Sequence, residues 1–248
     1  MNPFNRPYTL GRGGLLPETK TLIGRMTVEP SRGRKAAINR LVGRLKERGL
    51  WQNPKFDALY VLAAHDSQAG YLNWFANNTA SAVDGPLFTV DRGSAGDGVD
   101  GRLLCVVPSA SPIGNSHIGI GVQEGLIGVS YAPYAFASDG GMTTVFGNLS
   151  IGAGFTIAGP DLRHGIMCWT GAETLRGYKN GSLARTWNHP APGPSWGQVE
   201  LHRMYSGLDV TFTSGRCGFL HSGKSITDQE AANLSSALNA YMAEIGAW

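Results

Sequence analysis

The sequence predicts an all-β protein, an antiparallel sandwich with helices before it and one helix after it. Three observations lead to this prediction. About a dozen short strand-like runs follow Phe56, separated by Gly, Pro, Asp or Asn, and no helical pattern lies between them. Asn180-Gly181 joins two alternating runs as a type I′ hairpin turn. Thr227 and Glu230 then match the capping box of a final helix.

Length and composition allow one large domain or two small ones. The 248 residues are 42% hydrophobic and 16% charged, with 35 Gly and 13 Pro, which favours short strands joined by many turns. Three widely spaced cysteines disfavour disulfides and a zinc site. Because no apolar run has transmembrane length and the first residues lack the apolar part of a signal peptide, we expect a soluble protein made in a cytoplasm.

Charge is distributed unevenly along the chain. Residues 1–50 hold eleven Lys or Arg against three Glu, a net of +8, so the total of +3 leaves −5 for residues 51–248. We therefore predict two parts, a basic N-terminal region over 1–50 and a mildly acidic sandwich with its C-terminal helix over 51–248.

The basic region is predicted to begin as an extended arm over 1–16 and to continue as a weak helix over 17–28. A stronger helix follows, capped by Ser31 and ended by Gly49, with one apolar side and basic residues around the other. That pattern fits a solvated face of a helix packed on its own domain, docking onto an acidic protein, or an anionic membrane. Nucleic acid is disfavoured because no aromatic residues alternate with the basic ones and no DNA-binding motif is present.

The sandwich is predicted from its strand-like runs and the helix that follows them. We expect Tyr178, Leu183 and Trp187 to share the half-buried face of the hairpin, and a final helix over 227–245 to bury a stripe that includes Leu238. The predicted strands outside the hairpin are 56–64, 71–75, 87–90, 102–107, 117–122, 127–131, 143–149, 155–158, 165–170, 198–204 and 218–220.

Five short motifs follow one another along the chain. They are Asn73-Trp74, Phe88-Thr89-Val90-Asp91-Arg92-Gly93, Gly96-Asp97-Gly98, Tyr178-Lys179-Asn180-Gly181-Ser182-Leu183 and Thr227-Asp228-Gln229-Glu230. In this order they resemble the concanavalin A-like, laminin-G-like jelly rolls of tailed bacteriophages and prophages, in which a short helical attachment region precedes the sandwich.

This resemblance implies a structural or accessory protein of the virion, assembled in the bacterial host cytoplasm. The expected roles are a head fibre, a decoration protein or a tail appendage, with binding of host-surface glycans as an additional capacity. Its partners would be capsid, portal or tail proteins and copies of itself, in a trimer, without direct contact to nucleic acid and without membrane insertion. The alternatives are a glycan-degrading depolymerase and a free lectin.

No catalytic pattern is found in the sequence, so we predict that the protein is not an enzyme and that it has no cofactor and no resident metal. Glycosidases of related jelly rolls pair two carboxylates, whereas Glu200 stands alone on its predicted strand. The six histidines never stand at ligand spacing, and no Gly-x-Ser-x-Gly is present. Calcium near Asp91, Asp97 and Asp100 stays open, although the spacing fits no EF-hand loop.

Two sets of residues are predicted to make contacts. Exposed aromatic residues in Pro-rich loops suit either a subunit interface, which we favour, or a glycan, and they are Tyr131, Tyr134, Trp187, His189 and Trp196. The basic region is predicted to attach the protein to the particle through Arg6, Tyr8, Arg12, Arg32, Arg34 and Lys35.

Overall fold

The computed structural model describes residues 14–51, 55–107, 115–124, 127–131, 143–146, 148–151, 155–158, 162–171, 173–188, 198–206 and 209–248. The helices in these ranges are α1 (Pro17–Gly24), α2 (Arg32–Glu47), α3 (Ser67–Tyr71) and α4 (Asp228–Glu244). The strands are β1 (Phe56–Tyr60), β2 (Ser81–Val83), β3 (Leu87–Thr89), β4 (Gly93–Ala95), β5 (Arg102–Val106), β6 (Ser116–Glu124), β7 (Ile127–Tyr131), β8 (Thr143–Phe146), β9 (Asn148–Ile151), β10 (Phe155–Ala158), β11 (His164–Trp169), β12 (Thr174–Lys179), β13 (Ser182–Asn188), β14 (Gln198–Leu201), β15 (Arg203–Ser206), β16 (Asp209–Phe212) and β17 (Arg216–Lys224).

The strands form two large antiparallel sheets. An eight-stranded sheet has the order β13-β12-β11-β6-β17-β4-β3, with β1 also paired to β17, and a five-stranded sheet has the order β2-β5-β14-β7-β8. Two further pairs, β9 with β10 and β15 with β16, lie outside these sheets. The predicted antiparallel sandwich of the jelly-roll class, with N-terminal helices and one C-terminal helix, is confirmed.

The eight-stranded sheet is buried on both faces. Along β11, Met167 and Trp169 face the five-stranded sheet, whereas Ile166 and Cys168 join a second apolar cluster with the helices. All four side chains are fully buried. The molecule therefore has three layers, with the five-stranded sheet on one side of the larger sheet and the helices on the other.

Local capping signals set the ends of the two long helices. The Ser31 hydroxyl accepts a hydrogen bond from the Arg34 amide at 3.2 Å at the start of α2. At the start of α4, the Thr227 hydroxyl accepts from the Glu230 amide at 3.2 Å, and the Glu230 carboxylate accepts from the Thr227 amide at 2.8 Å. Leu238 is fully buried. Both predicted helices and the buried stripe of α4 are confirmed.

The described part of the basic region shares a core with the sandwich. Leu41 and Leu45 of α2 are fully buried in the same cluster as Leu238 of α4. Arg34 donates to the Tyr241 hydroxyl at 3.0 Å, which ties the two helices together at a buried point. This packing corresponds to the first of the open alternatives, a helix packed on its own domain. Whether the region also attaches the protein to a particle stays a prediction.

The hairpin has the predicted turn but not the predicted faces. Tyr178 pairs with Leu183 as expected, and a β-bulge then shifts the register so that Gly177 pairs with Arg185. Tyr178 therefore faces the helices, Trp187 faces the five-stranded sheet, and Leu183 is 41% exposed. The prediction that these three residues share a face was wrong, because an extra residue in one strand reverses the alternation beyond it.

Two predicted elements near the N-terminus also differ. The weak helix over 17–28 ends at Gly24. The predicted strand over 71–75 does not form, because Tyr71 ends α3 and only isolated bridges follow at Leu72 and Asn73. Asp66 caps α3 by accepting from the Gln68 amide at 2.7 Å. An Asp with two free amides after it favours a helical turn, and that local signal overrides the short apolar run.

Candidate functional site

A cleft of about 280 Å3 opens between α1 and the chain segments that follow α2 and α3. We refer to it as the aromatic pocket. Its lining comes from three separate parts of the sequence and comprises Pro17, Glu18, Thr21, Leu22, Arg25, Trp51, Trp74, Phe75, Ala76 and Asn77.

Three aromatic rings form the apolar wall of the pocket and rest on the core. Trp51 and Phe75 meet edge to face with ring centroids 5.2 Å apart. The ring of Phe56 packs against Phe75 with a centroid distance of 6.0 Å. Trp74 is 6% exposed and packs edge-on against Tyr241 of α4 at 6.2 Å. The half-buried rings of Trp51 and Phe75 therefore offer apolar surface on a rigid support.

Asn73 holds the Trp74-Phe75 segment in place. Its side chain is fully buried, and Oδ1 accepts from the amides of Leu59 at 3.1 Å and Phe75 at 3.0 Å. Its backbone carbonyl accepts from Arg25 Nη1 at 2.8 Å, which links the segment to the end of α1. The Asn73-Trp74 motif noted in the sequence is thus the part that builds this wall.

Polar atoms without partners lie in the same pocket. Nε1 of Trp51, Nε1 of Trp74 and Oε2 of Glu18 are buried and have no hydrogen-bond partner among the described residues. A buried polar group left unpaired costs about 1–3 kcal/mol, so a ligand hydroxyl that pairs with it recovers free energy. All three atoms are buried beneath the pocket surface, so a ligand pairs with them only where the lining side chains shift.

The charges of the pocket are fixed by neighbours. Lys46 pairs with Glu18, and its hydrogen bond is the main reason that the pKa of the Glu18 carboxyl lies below its ordinary value. Partial burial lowers the pKa of Arg25, although a guanidinium stays protonated in proteins. With Glu18 and Lys46 cancelling, Arg25 leaves the pocket with a small positive charge.

This arrangement suits a sugar ring. The C–H face of a sugar packs on aromatic rings, while its hydroxyls seek donors and acceptors of the kind that Trp51, Trp74 and Glu18 present. Metal chemistry has no support in the part of the chain that the structure describes, where no group of three His, Cys, Asp or Glu is arranged to hold an ion.

The predicted contact residues lie elsewhere. Trp187 is 7% exposed and is buried between the two sheets. Tyr131 ends β7, where its backbone pairs with Val199 of β14. A contact role for this set stays a prediction. Three of its members, Tyr134, His189 and Trp196, lie outside the described residues.

The predicted attachment residues fall into three groups. Arg32 is exposed at the start of α2. Arg34 is 8% exposed and contacts Asp91 and Tyr241, and Lys35 pairs with Glu29. Arg34 is therefore used within the domain, and attachment through these residues stays a prediction. The remaining members, Arg6, Tyr8 and Arg12, lie outside the described residues.

The three aspartates considered for calcium do not converge. Asp91 pairs with Arg34. Asp97 uses one oxygen, Oδ1, to accept the amides of Val99 at 2.8 Å, Asp100 at 3.1 Å and Gly101 at 2.9 Å. These hydrogen bonds are the main reason that the pKa of Asp97 is lowered. Asp97 therefore closes a turn, which accounts for its place in a Gly-rich loop.

Glu200 occupies the outer face of the five-stranded sheet. Its neighbours Val199 and Leu201 are fully buried between the sheets, so Glu200 projects the opposite way. It is 5% exposed and pairs with Arg203 at 2.8 Å. This nearly buried carboxylate is a second candidate for chemistry.

Sequence comparisons give no family: no family model matches the chain, and no curated protein matches it. Solved structures do match in fold. A sialidase from Trypanosoma rangeli has a TM-score of 0.51 at 12% identity, over 85% of this chain and 40% of the sialidase chain. Domain 4 of AbnA, a GH43 extracellular arabinanase from Geobacillus stearothermophilus, in complex with arabinotriose, gives 0.41 at 13% identity, over 73% and 98%. A botulinum neurotoxin type C, whose cell entry depends on two ganglioside molecules, gives 0.43 at 10% identity, over 73% and 51%.

The likeness to the sialidase supports the β-sandwich fold. The bacteriophage role stays a proposal. The likeness to the sialidase also corrects the prediction that this chain is not an enzyme, because the same fold forms part of a glycosidase chain. The prediction was wrong because it relied on the absence of local motifs. An active site can be assembled from residues that lie far apart in the sequence.

Among the described residues, none of the four helices has both the length and the apolar character that crossing a bilayer requires.

Proposed function

We propose that this protein is a glycan-binding accessory component of a bacteriophage particle, and that its aromatic pocket binds a sugar of the host surface. The observation that carries the proposal is the pocket itself. It combines the rings of Trp51, Trp74 and Phe75 with two unpaired indole N–H groups and one unpaired carboxylate oxygen of Glu18.

The size of the pocket fits this ligand. Clefts for drug-sized ligands measure roughly 300–1,000 Å3. At about 280 Å3 the pocket is slightly smaller, which suits one or two sugar rings of a longer chain that continues into solvent. Each hydroxyl that pairs with an indole N–H would contribute about 0.5–1.5 kcal/mol. Modest affinity per site is expected, and several copies on one particle would raise it by avidity.

The fold gives general support. A sialidase structure with a TM-score of 0.50 contains sialic acid, so this sandwich is found within a protein that binds a sugar acid. At 11% identity that likeness concerns the fold alone. The sugar specificity of this chain must come from its own pocket.

A binding assay tests the glycan site. Purified protein would be applied to a panel of bacterial capsular polysaccharides and lipopolysaccharides. We expect at least one to bind, and Trp51→Ala to weaken it about tenfold or more because a stacking surface and an N–H donor are lost. Phe88→Ala, a half-buried aromatic residue outside the pocket, is the matched control and should bind normally. Equal binding by Trp51→Ala would place any glycan elsewhere.

Attachment to the particle is proposed to use the N-terminal region. Its +8 charge over fifty residues would steer it onto an acidic capsid, portal or tail surface, while exposed ion pairs add only about 0–1 kcal/mol each. Deleting residues 1–13 leaves α1 and the pocket in place. The truncated protein should keep its glycan binding and its fold but fail to join particles. Normal incorporation of this variant would contradict the role given to Arg6, Tyr8 and Arg12. Cross-linking of the particle-bound protein would test the proposed trimer.

Glycan hydrolysis is a second candidate, favoured by Glu200 alone. This nearly buried carboxylate faces outward from the centre of the five-stranded sheet and is oriented by Arg203. The panel of polysaccharides should therefore also be assayed for release of oligosaccharides. Release by the natural chain that Glu200→Gln abolishes, with binding retained, would establish the enzyme. Release that Glu200→Gln leaves unchanged would exclude Glu200 as its catalytic residue.

A further inference from the structure

Three buried histidines form one hydrogen-bonded chain between the eight-stranded sheet and α4. They are His117 of β6, His221 of β17 and His164 of β11, and none has any exposed surface. The chain runs from Ser235 of α4 to the carbonyl of Lys224 at the end of β17. We refer to these three histidines with Ser235 as the histidine chain.

The distances show that each ring nitrogen is used. Ser235 Oγ lies 2.7 Å from His164 Nδ1, and His164 Nε2 lies 2.7 Å from His221 Nε2. His221 Nδ1 lies 3.1 Å from His117 Nε2, and His117 Nδ1 lies 2.5 Å from the Lys224 carbonyl oxygen. A carbonyl oxygen only accepts, so His117 must donate to it from Nδ1. The remaining donors are then Nδ1–H of His221, Nε2–H of His164 and the Ser235 hydroxyl.

In this pattern every ring is neutral and the Ser235 hydroxyl donates to His164. That hydroxyl can turn and accept instead, so the hydrogen bonds accommodate one added proton, whereas a second proton sets two N–H groups against each other. The chain is also not a metal site. His221 turns its two nitrogens toward different partners, so the three rings do not converge on one point.

The groups around the three histidines are neutral or already paired, so they do not offset the charge of an added proton. Phe56 and Phe219 pack edge-on against the rings of His117 and His164, at 5.1 and 4.9 Å. Across from His117 on β11 is Cys168, a thiol whose pKa burial raises to about 11, so it stays neutral. The Tyr178 hydroxyl on β12, also neutral, donates to Asp228, which pairs with Arg176. The nearest charges to His117 are Glu230 of α4 and Lys55, which pair with each other at 2.9 Å.

The same layer carries the aromatic pocket. Phe56, which touches His117, also supports Phe75. Trp74 of the pocket leans on Tyr241 of α4. If α4 separates from the sheet, Trp74 loses the support of Tyr241, although Phe56 of β1 stays beside Phe75.

We propose that the histidine chain is an acid-sensitive latch, and that its protonation below about pH 6 releases α4 and dissolves the aromatic pocket. Regulation of glycan binding rests on the proposed function of the pocket, whereas the opening of α4 does not depend on it.

The direction in which stability changes with pH follows from the difference between the folded and unfolded pKa values of the histidines. Burial lowers the pKa of His117 to about 4 and of His164 to about 3, and it lowers that of His221 as well, whereas an unfolded histidine has a pKa near 6.5. Stability is therefore complete above about pH 6.5 and is lost as the pH falls through 6.5 toward 4. At pH 5.5 each histidine shifts the opening equilibrium about tenfold, and the three together on the order of 10³-fold.

Amide hydrogen exchange of the whole chain at pH 7.5 and 5.5, corrected for intrinsic exchange rates, tests the latch without any ligand. We expect protection in α4 and in segment 73–75 to fall on the order of 10³-fold at pH 5.5, while β5 and β14 of the five-stranded sheet keep theirs. Unchanged protection of α4 would overturn the proposal. Loss of protection in α4 with 73–75 still protected would overturn its link to the pocket.

Single substitutions separate the chain from other histidines. His164→Gln removes one titrating ring, so the acid-induced loss in α4 should shrink about tenfold. His65→Gln, at a half-buried ring outside the chain, should leave the loss unchanged. If His164→Gln does not fold, the hydrogen-exchange measurements on the natural chain at the two pH values still decide whether the latch exists.

Binding to purified lipopolysaccharide, measured at both pH values, is the second readout. Binding at pH 7.5 that persists at pH 5.5 contradicts the proposal that acid releases the glycan. Absence of binding at either pH counts against the glycan proposal, and the exchange data then judge the latch alone.

Discussion

Gly119 of β6 makes room for the histidine chain, and replacing it with Ala is a direct test of that packing. A Cβ at this position would overlap His221 Nε2 and Cε1 and would lie 3.1 Å from the Gly165 carbonyl oxygen. The backbone oxygen cannot move without disturbing the pairing of β6 with β11. The His221 ring must therefore shift, and it then loses its hydrogen bonds to His117 and His164.

The expected magnitude combines two effects. Overpacking a well-filled core costs about 1–3 kcal/mol. Two buried hydrogen bonds broken by the shifted ring add about 1 kcal/mol each. Gly119→Ala should therefore lower the free energy of unfolding by roughly 3–5 kcal/mol, which corresponds to a fall in Tm of roughly 6–20 °C for a protein of this size.

Urea unfolding followed by tryptophan fluorescence at pH 7.5 measures this effect. Gly33→Ala is the matched control, because no atom lies within 4 Å of a Cβ there and the residue is inside α2. That variant should be as stable as the natural chain or up to about 1 kcal/mol more stable. A Gly119→Ala protein within about 0.5 kcal/mol of the natural chain would refute the close packing of His221 against β6.

Two other predictions concern stability. Thr227→Ala removes half of the capping box of α4 and should cost about 0.5–2 kcal/mol in urea unfolding; no loss would mean that the cap contributes nothing. Lowering the pH from 7.5 to 5.5 should reduce the free energy of unfolding by roughly 4 kcal/mol, about 1.4 for each of His117, His164 and His221, because their pKa values are lowered in the folded state. His202, whose pKa burial lowers to about 3, should add about 1.4 more. A flat profile between these pH values would contradict the neutral, buried state of all four rings.

Local signals in the sequence predicted the parts of the fold that depend on neighbours in sequence. The turn at Asn180-Gly181 and the caps at Ser31 and Thr227 each rest on residues within a few positions, so their chemistry is visible in the sequence. The bulge near Ala184 is different. It depends on how β13 lies at the edge of the sheet, and one extra residue there moved Trp187 to the other face.

The candidate sites were harder to predict because distant segments build them. The pocket is lined by residues of α1, by Trp51 and by Trp74 and Phe75. From the sequence, α1 was predicted only as a weak helix of the basic region. The histidines of the chain stand far apart in sequence and meet only because β11, β6 and β17 are neighbours in one sheet. The Asn73-Trp74 motif was the one available signal for the pocket. The prediction of no enzyme failed for the same reason, since a search for local spacing cannot see such a site.

The most direct measurement of the central claim follows the indole N–H signals of the tryptophans by NMR during titration with the polysaccharide that binds on the panel. We expect the signals of Trp51 and Trp74 to shift, because the bound sugar contacts the rings that line the pocket. The signals of Trp169 and Trp187, which lie between the two sheets, should stay in place. Binding that leaves Trp51 and Trp74 unshifted would contradict the claim that the aromatic pocket is the glycan site.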